Sequence, residues 1–511
     1  MSSGTGWSRR LSRHTNGMKT ELSITKPDSP AARSALAMAG YLFGVAVITS
    51  LLLAVDAAPS RFIGGTLVSF VLLFVLYRDI MRYKPAYVNN YAMLLLLSLM
   101  IIGTLLIGRS FEYVLSGLLK GLDVSDTGIA VYGIPIATGA MLVTLLFDFH
   151  TAIIFSFTVS LLTGYWLEEA FFPIYTFVAS LTAAFSVIRC KKRTALLRGG
   201  LYVILANIAL VIIFLISRGE LISDSTPAAL VLAVFSGVSV SALVSLLLPV
   251  LEYAFKITTD ISLLELLDLN QPLMKMLMIN APGTYHHSVI VGNLVESAAE
   301  AVGVNPLLAR VSSYYHDIGK AKMPEYFVEN QSGAPSKHDK LTPHMSSMII
   351  INHVKEGVEL ARHYKLPQTI IDIIKQHHGT ALLSFFYQKA KDMPQDAVPA
   401  EDEYKYPGPK PQTRVAALVM MADAVEASSK VLNDPTPARI SALVEKIINH
   451  IFLEGQLDEC ELTLKDISEI KKRFIYILTG ILHKRIDYPG FDFGNGNSHK
   501  EPAKIEKPKF A

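Results

Sequence analysis

Long apolar runs dominate the first half of the chain. Between residues 35 and 250, these runs approach the ~20 residues that an α-helix rising ~1.5 Å per residue needs to cross ~30 Å of hydrocarbon. The pattern predicts about eight membrane-spanning helices. The second, fifth and sixth runs are short, so seven helices or a re-entrant segment remain open alternatives. The predicted spans are 35–57, 62–77, 90–107, 127–147, 151–166, 171–187, 199–217 and 226–250.

A different pattern begins after residue 250, where apolar positions recur every three or four residues. Such spacing is typical of amphipathic helices, as in the series Val289, Leu294 and Ala298. No convincing two-residue alternation indicates a strand. We therefore predict an all-α protein, in which a polytopic transmembrane helix bundle precedes an all-α soluble domain.

Changes in composition divide the chain into five predicted segments. The terminal segments are rich in polar, Gly, Pro and basic residues and are expected to be disordered. The segment 392–412, rich in Pro and charge, is predicted to be a surface loop between helices. The segments are a basic N-terminus at 1–33, the transmembrane bundle at 34–250, linker helices at 251–280, the soluble domain at 281–485 and a C-terminal tail at 486–511.

The overall composition agrees with a chain that lies partly in lipid. Of its 511 residues, 51% are hydrophobic and only 18% are charged, and the mean hydropathy is +0.37. The net charge of +3 is too small to indicate a nucleic-acid-binding surface, so we expect no DNA or RNA partner. Two cysteines, Cys190 and Cys460, cannot form a disulfide framework.

The distribution of Lys and Arg predicts which side of the membrane each loop occupies, because cytoplasmic loops carry the positive excess. Basic residues precede the first predicted helix and follow the second and the sixth, whereas Glu168, Glu169 and Asp224 fall on the other side. An even number of helices then places the soluble domain in the cytosol. Reading the first run as a cleaved signal peptide would leave this orientation unchanged. The orienting basic residues are Arg9, Arg10, Arg13, Lys19, Lys26, Arg33, Arg78, Arg82, Lys84, Arg189, Lys191, Lys192, Arg193 and Arg198.

Histidines and aspartates in the soluble domain form the candidate chemical site. Any one of them alone would more often be a satisfied helix-end or core residue. Apolar helices flank each of these residues, however, and an unpaired polar group buried among such helices costs roughly 1–3 kcal/mol. Taken together, the residues are therefore better explained by a shared metal centre than by separate structural roles. Imidazole and carboxylate suit first-row transition metals such as Mn or Fe. The candidate ligands are His287, His316, Asp317, His353, His377, His378 and Asp423.

Adjacent candidate ligands favour two ions over one, because neighbouring residues on a helix diverge by about 100°. We assign one divalent ion to His287, His316, Asp317 and Asp423, and a second to Asp317, His353, His377 and His378. Asp317 would bridge the two. Two such ions acidify a bound water and stabilise the charge that develops on a phosphodiester during hydrolysis.

Lys320 is a second catalytic candidate beside Asp317. It lies one helical turn beyond Asp317, from where its ammonium could reach a substrate phosphate oxygen. A Lys at a helix C-terminus next to Gly319, interacting with the helix dipole, is an equally good interpretation.

Six short motifs surround the candidate ligands: APGTYHHSV (281–289), YYHDIGK (314–320), PEYFVENQ (324–331), HVKEG (353–357), QHHGT (376–380) and YPGPKPQTR (406–414). Together they resemble the motifs of PgpH-type seven-transmembrane HD-domain phosphohydrolases. The resemblance covers most of residues 263–427 and, more loosely, the membrane half.

The resemblance implies a bacterial inner-membrane enzyme with two Mn or Fe ions that hydrolyses cyclic di-AMP to the linear dinucleotide pApA. All seven candidate positions match the family's metal ligands, and residues 281–485 correspond to the HD domain. The membrane half would act as a sensor in contact with the lipid bilayer, and a homodimeric assembly is left open.

The chain also departs from the family pattern. Only residues 58–61 separate the first two predicted helices, so the large extracellular domain common in the family is expected to be missing. Lys430 stands where Arg is expected, and Val415 stands where an acidic residue is usual. His286 and His344 are kept outside the predicted metal shell.

Three other functions are weighed against this one. A cyclic di-GMP phosphodiesterase of the HD-GYP kind shares much of the ligand set, but the chain reads Ala321, Lys322, Met323 and Pro324 after the HD motif and lacks the Gly-Tyr-Pro segment. A membrane receptor could bind nucleotide without turnover. A transporter has less support, because no embedded charged pair is evident in the predicted spans.

Overall fold

The computed structural model describes residues 30–482 except 55–57, 89, 125, 189, 191, 332–334 and 394–398. Most of the predicted disordered segment 1–33 and all of the predicted tail 486–511 lie outside the described residues, as do Arg189 and Lys191. The described chain forms two compact units with a boundary between Phe255 and Lys256, which are treated separately below.

The first unit consists of nine α-helices and a 3₁₀ helix, Thr127–Gly133, within its described residues. Local signals define several helix starts: Asn90 accepts a hydrogen bond from the backbone N–H of Ala92, and Asp148 accepts one from that of Thr151. The α-helices are α1 (Pro30–Leu53), α2 (Pro59–Tyr83), α3 (Pro85–Val88), α4 (Tyr91–Gly121), α5 (Thr138–Leu146), α6 (Phe149–Leu167), α7 (Phe172–Ser186), α8 (Thr194–Arg218) and α9 (Thr226–Phe255).

Seven helical segments of the described chain are long and apolar enough to span a membrane. They are α1, α2, α4, the segment Thr127–Leu146, α6, α8 and α9. Helix α7, which corresponds to the sixth predicted run, is apolar but only 15 residues long. The second and fifth predicted runs, which are also short in the sequence pattern, correspond to α2 and α6 and reach 25 and 19 residues. These lengths and compositions define a membrane protein.

Helix α4 is longer than its predicted span, 90–107. It continues through Arg109 to Gly121 and reaches 31 residues. Arg109 pairs with Glu112 at 3.2 Å and lies over the ring of Trp166 at 5.1 Å. A charged side chain with both an ion pair and an aromatic face can remain within a helix that hydropathy alone would end earlier.

The segment Thr127–Leu146 is a broken helix. Its 3₁₀ part ends at Gly133 and α5 begins at Thr138, with Pro135 between them. Backbone groups inside a membrane must find protein partners, and here they do: Ser236 Oγ donates to the carbonyl of Ile134 at 2.9 Å. The Tyr175 hydroxyl donates to the carbonyl of Tyr132 at 3.1 Å. The break is therefore stabilised by side chains of neighbouring helices.

The second unit confirms the all-α prediction for the described residues. They contain no strand, and only an isolated bridge joins Leu382 to Lys405. The α-helices are α10 (Asp260–Leu266), α11 (Pro272–Asn280), α12 (Pro282–Ala301), α13 (Pro306–Tyr315), α14 (Pro343–His363), α15 (Gln368–Gln376), α16 (Ser384–Lys391), α17 (Arg414–Ser429), α18 (Pro437–Leu453) and α19 (Leu464–Ile481).

Two apolar cores hold the second unit together. One joins α12, α17, α18 and α19, and the other joins α10, α11, α13, α14 and α15. Residues 251–280, predicted as linker helices, contain α10 and α11, which contribute Leu263, Leu273 and Leu277 to the second core. Burying side chains of this size stabilises the fold by roughly 1.5–3 kcal/mol each. The cores fix α12, α13, α14, α15 and α17 against one another, and the candidate ligands lie on these helices or directly after them.

Candidate metal centre

Five helices bring the seven predicted ligands together. His316 and Asp317 follow the last residue of α13, and His377 and His378 follow the last residue of α15. Because the chain leaves the helix at these points, adjacent side chains can converge, and the rings of His377 and His378 lie only 4.1 Å apart. The other ligands are within helices: His287 on α12, His353 on α14 and Asp423 on α17.

The seven residues form two groups that share Asp317. We call one the His287 half-site (His287, His316, Asp317 and Asp423) and the other the His353 half-site (Asp317, His353, His377 and His378). In each group, one nitrogen or oxygen from every residue lies within 4.8 Å of those of the others. These groups are the same as the two ligand sets proposed from the sequence.

The two carboxylate oxygens of Asp317 face different half-sites. Its Oδ2 lies 3.2 Å from His316 Nε2 and 3.6 Å from His287 Nε2. Its Oδ1 lies 3.2 Å from His353 Nε2 and 3.6 Å from His377 Nε2. This is the arrangement that a bridging carboxylate requires.

Asp423 also has oxygens directed to both sides of the centre. Its Oδ1 lies 3.0 Å from His287 Nε2, and its Oδ2 lies 3.6 Å from His378 Nδ1. Separations of 3.0–3.8 Å match the edges of a coordination sphere, since metal–ligand bonds of ~2.0–2.2 Å give edges of about 2.9 Å in an octahedron and about 3.4 Å in a tetrahedron.

Three of the histidines are oriented by the backbone carbonyl of the residue three positions earlier in the chain. His316 Nδ1 donates to Ser313 O at 2.7 Å, and His377 Nδ1 donates to Ile374 O at 2.7 Å. His353 Nδ1 donates in the same way to Ile350 O at 2.5 Å. With the proton on Nδ1, each Nε2 keeps a lone pair directed at the centre, as in protein metal sites.

Several atoms at the centre are buried without a hydrogen-bond partner in the described part of the chain. They are Nε2 of His287, Nε2 of His316 and both carboxylate oxygens of Asp317. Leaving such atoms unsatisfied costs roughly 1–3 kcal/mol each, more when they are charged. A divalent cation at each half-site would satisfy all of them, so the residues present fit a two-metal centre.

The electrostatics of the centre favour cation binding. Burial would raise the pKa of Asp317, but His316 and Lys320 hold it well below its usual range. Burial, together with neighbouring His377, keeps the pKa of His378 well below its ordinary value, so its ring stays neutral. Burial opposes protonation of His316, yet Asp317 and Asp423 raise its pKa to about 10. A metal ion would compete with that proton for Nε2.

Lys320 lies beside the carboxylate of Asp317 and also in the last turn of a short helix, so its position agrees with both interpretations. It belongs to a 3₁₀ helix, Ile318–Lys322. Its Nζ is 2.6 Å from Asp317 Oδ2 and 3.0 Å from Glu329 Oε1. Burial lowers its pKa, but these two carboxylates raise it above the ordinary value, so the ammonium stays protonated.

The sequence analysis missed three residues at the site: Glu426, Glu329 and Tyr406. Glu426 accepts a hydrogen bond from His287 Nδ1 at 2.5 Å, and its position three residues after Asp423 on a helix was the available signal. Glu329 contacts Lys320, as described above.

Tyr406 corrects the prediction that residues 392–412 form only a surface loop. Its side chain is buried, and its ring stacks on that of His378 with centroids 4.2 Å apart. The part of the Pro-rich segment around Tyr406 therefore forms one wall of the candidate centre.

The positions at which the chain departs from the family pattern lie around the metal centre or in the core. Lys430 Nζ is 2.9 Å from Glu426 Oε1, and Val415 is buried in the core of α12 and α17. Neither His286 nor His344 belongs to a ligand group in the described chain. His286 is exposed, and His344 Nδ1 lies 3.5 Å from Glu403 Oε2.

Comparisons with known proteins agree with this architecture. The family model described as "7TM receptor with intracellular HD hydrolase" matches residues 59–259, and the HD domain model matches residues 284–428. The fold and the site thus define a membrane protein with an HD domain. Its two regions are similar, in this order, to those of seven-transmembrane proteins with an intracellular HD hydrolase domain.

Two relatives carry the name cyclic-di-AMP phosphodiesterase PgpH. The Bacillus subtilis (strain 168) protein is 41% identical over 366 residues, which cover 70% of this chain and 51% of the relative. The Listeria monocytogenes serotype 1/2a (strain 10403S) protein is 40% identical over 359 residues, covering 70% and 50%. The chain therefore spans about half the length of these curated relatives.

Crystal structures of the L. monocytogenes PgpH HD domain are also similar in sequence. One is 47% identical and corresponds to 42% of this chain and 100% of the crystallised chain, with a TM-score of 0.40. A second, in complex with cyclic-di-AMP, is 47% identical over 43% of this chain, again with a TM-score of 0.40.

Proposed function

We propose that the chain is a membrane-anchored phosphodiesterase that hydrolyses cyclic di-AMP to pApA. The observation that carries this proposal is the pair of half-sites sharing Asp317, whose two oxygens each face a different set of histidines. The names of the relatives supply the choice of dinucleotide.

In this proposal the seven residues of the two half-sites hold two divalent ions. When bound, such ions supply a water of lowered pKa and stabilise charge on the phosphodiester. Two of the protein's own groups lie directly beside the ligands: Lys320 neutralises charge next to Asp317, and the ring of Tyr406 stacks on that of His378. Lys320 also places an ammonium within reach of a phosphate oxygen.

We propose Mn or Fe as the metal. The donor set of five imidazoles and two carboxylates has no thiolate, which favours these ions over a structural zinc site. Elemental analysis of protein purified without chelators would identify the metal. A single zinc per chain would contradict the proposal.

The substrate is tested with the full chain purified in detergent and supplied with Mn²⁺. We expect cyclic di-AMP to be converted to pApA faster than cyclic di-GMP is hydrolysed, and Asp317→Ala to abolish both reactions. Faster turnover of cyclic di-GMP would replace the proposed substrate with the HD-GYP one. Binding of a cyclic dinucleotide without turnover would instead show a receptor.

We further propose that the HD domain is cytosolic and that the bundle lies in a bacterial inner membrane. Arg82 in the last turn of α2 and Lys84 directly after it support this orientation, provided that α7 crosses the membrane as well as the five longer segments that follow α2. With Cys190 and Cys460 replaced by Ser, a membrane-impermeant maleimide should label Glu220→Cys in intact cells. Asp402→Cys should react only after permeabilisation. Labelling of Asp402→Cys in intact cells would reverse the topology.

All seven candidate ligands come from one chain, so a single copy provides both half-sites. Whether the protein forms a homodimer, which the sequence leaves open, is therefore a separate question, and light scattering of the detergent-purified protein would answer it.

A further inference from the structure

The candidate histidine ligands differ in the group that accepts a hydrogen bond from Nδ1–H. His316, His353 and His377 each donate Nδ1–H to the carbonyl of the residue three positions earlier. His287 donates instead to a carboxylate, Oε2 of Glu426, at 2.5 Å. A carboxylate partner increases the basicity of an imidazole more than a neutral carbonyl does.

We infer that Glu426 is a positioning residue for His287 and makes the His287 half-site the tighter of two unequal metal sites. This inference rests on the proposed two-metal centre. Glu426 itself belongs to neither ligand group, and it contacts Nδ1 of His287 rather than Nε2, the nitrogen that faces Asp317 and Asp423.

Helix α17 fixes the geometry of this support. Asp423 and Glu426 are three residues apart and therefore share one face of the helix. Helix α17 thus supplies Asp423, a candidate ligand of the His287 half-site. It also supplies Glu426, which orients a second candidate ligand, His287. The Glu426 side chain is 2% exposed, so it cannot easily turn to solvent.

Lys430 completes the support from the outer side. Its Nζ is 2.9 Å from Oε1 of Glu426, one helical turn further along α17. This contact leaves Oε2 for His287. Lys430 is 47% exposed at its side chain, so it stabilises the buried carboxylate from the solvent boundary.

Charge also distinguishes the two half-sites. The His287 half-site combines oxygens of Asp317 and Asp423 with two imidazoles, and Glu426 adds a third carboxylate behind it. The His353 half-site combines three imidazoles with the single shared carboxylate of Asp317. Lys430 offsets the charge of Glu426, and Lys320 offsets part of that of Asp317. Asp423 remains as the difference in charge between the two ligand groups. Because anionic ligands attract a divalent cation more strongly than neutral ones, the first half-site should load first.

Binding of Mn²⁺ to the full chain in detergent tests this inference. Free Mn²⁺ is measured by electron paramagnetic resonance during titration of metal-free protein. For the unchanged chain we expect two equivalents with separate affinities. Glu426→Gln keeps an acceptor for Nδ1–H but loses the charge, whereas Glu426→Ala loses both.

We expect the tighter equivalent to weaken by ~10- to 100-fold in Glu426→Ala and by less in Glu426→Gln, as for loss of an outer-shell partner. The weaker equivalent should not change. The matched control is Glu469→Gln, which removes a surface carboxylate that pairs with Lys472 at 2.8 Å; both of its equivalents should keep their affinities.

The outcomes separate this inference from the proposed function. If the unchanged chain binds fewer than two Mn²⁺ ions, the two-metal proposal itself fails. If the unchanged chain binds two Mn²⁺ ions and both variants keep the two Mn²⁺ affinities of the unchanged chain, the role of Glu426 is refuted. It is also refuted if each variant weakens the two Mn²⁺ affinities equally while circular dichroism shows intact helices.

Discussion

Nζ of Lys320 lies 2.6 Å from Oδ2 of Asp317, the oxygen that also faces His316. The lysine thus neutralises part of the charge of the Asp317 carboxylate and, with Glu329, forms a buried network at the edge of the candidate metal centre. Lys320, the catalytic candidate, is thus in direct contact with Asp317, the candidate ligand three residues before it in the sequence.

Lys320→Gln should separate metal binding from turnover. We expect phosphodiester hydrolysis to fall by about 10²–10³-fold, the usual effect of removing one preorganised charge-stabilising donor. Mn²⁺ affinity should stay the same or increase, because Asp317 loses a competing cation. Steady-state rates with cyclic di-AMP and metal titration measure the two effects.

Lys337→Gln is the control, since this lysine pairs with Glu325 at the surface at 3.1 Å. Full activity in Lys320→Gln would exclude a catalytic role for the ammonium.

Asp317→Asn should impair both half-sites at once, because each oxygen of Asp317 faces a different set of histidines. The loss of Mn²⁺ affinity should exceed the ~10- to 100-fold that follows removal of an outer-shell partner. Metal content after dialysis against Mn²⁺ measures it. Asp402→Asn, at a side chain 93% exposed, should retain both ions. Retention of one tight ion by Asp317→Asn would show that the carboxylate does not bridge.

Tyr406 should matter through its ring rather than its hydroxyl. Stacked aromatic pairs contribute ~0.5–1.5 kcal/mol, and the ring of Tyr406 is 4.2 Å from that of His378. Tyr406→Ala should therefore weaken the His353 half-site by roughly 2- to 13-fold, whereas Tyr406→Phe should leave it unchanged. Mn²⁺ titration distinguishes the variants, with Tyr476→Ala, 72% exposed on α19, as the control. An equal loss in Tyr406→Phe would transfer the role to the hydroxyl.

Gly319→Ala should disturb the centre through the backbone. A Cβ at Gly319 would collide with the carbonyl oxygen of His353, and a backbone atom cannot rotate away as a side chain can. Overpacking of this kind costs ~1–3 kcal/mol and would displace α14 together with His353. Thermal unfolding of the second unit, followed by circular dichroism, should shift to lower temperature.

Gly480→Ala is the matched control for this substitution. No heavy atom lies within 4 Å of the added Cβ, and Ala in a helix is favoured over Gly by roughly 0.5–1 kcal/mol. Its unfolding temperature should rise slightly. A decrease as large as that of Gly319→Ala would mean that the collision with His353 is not the cause.

The sequence by itself determined the features that depend on local periodicity. Apolar runs marked the spans, and three- to four-residue spacing predicted the helical second unit. Their limits were misjudged where a polar residue is paired, as Arg109 is with Glu112 in α4. Residue type and order were also enough to propose the ligands and their grouping, because few buried His and Asp residues can be satisfied without metal.

Only the tertiary structure decided which groups support these ligands. His287 and Glu426 are 139 positions apart, and Tyr406 belongs to a Pro-rich segment that composition assigns to the surface. Such contacts arise from the packing of α12 against α17 and of the loop against the end of α15, and no local pattern encodes them. The same packing determines that Lys320 faces Asp317 and that the two oxygens of Asp317 face separate half-sites.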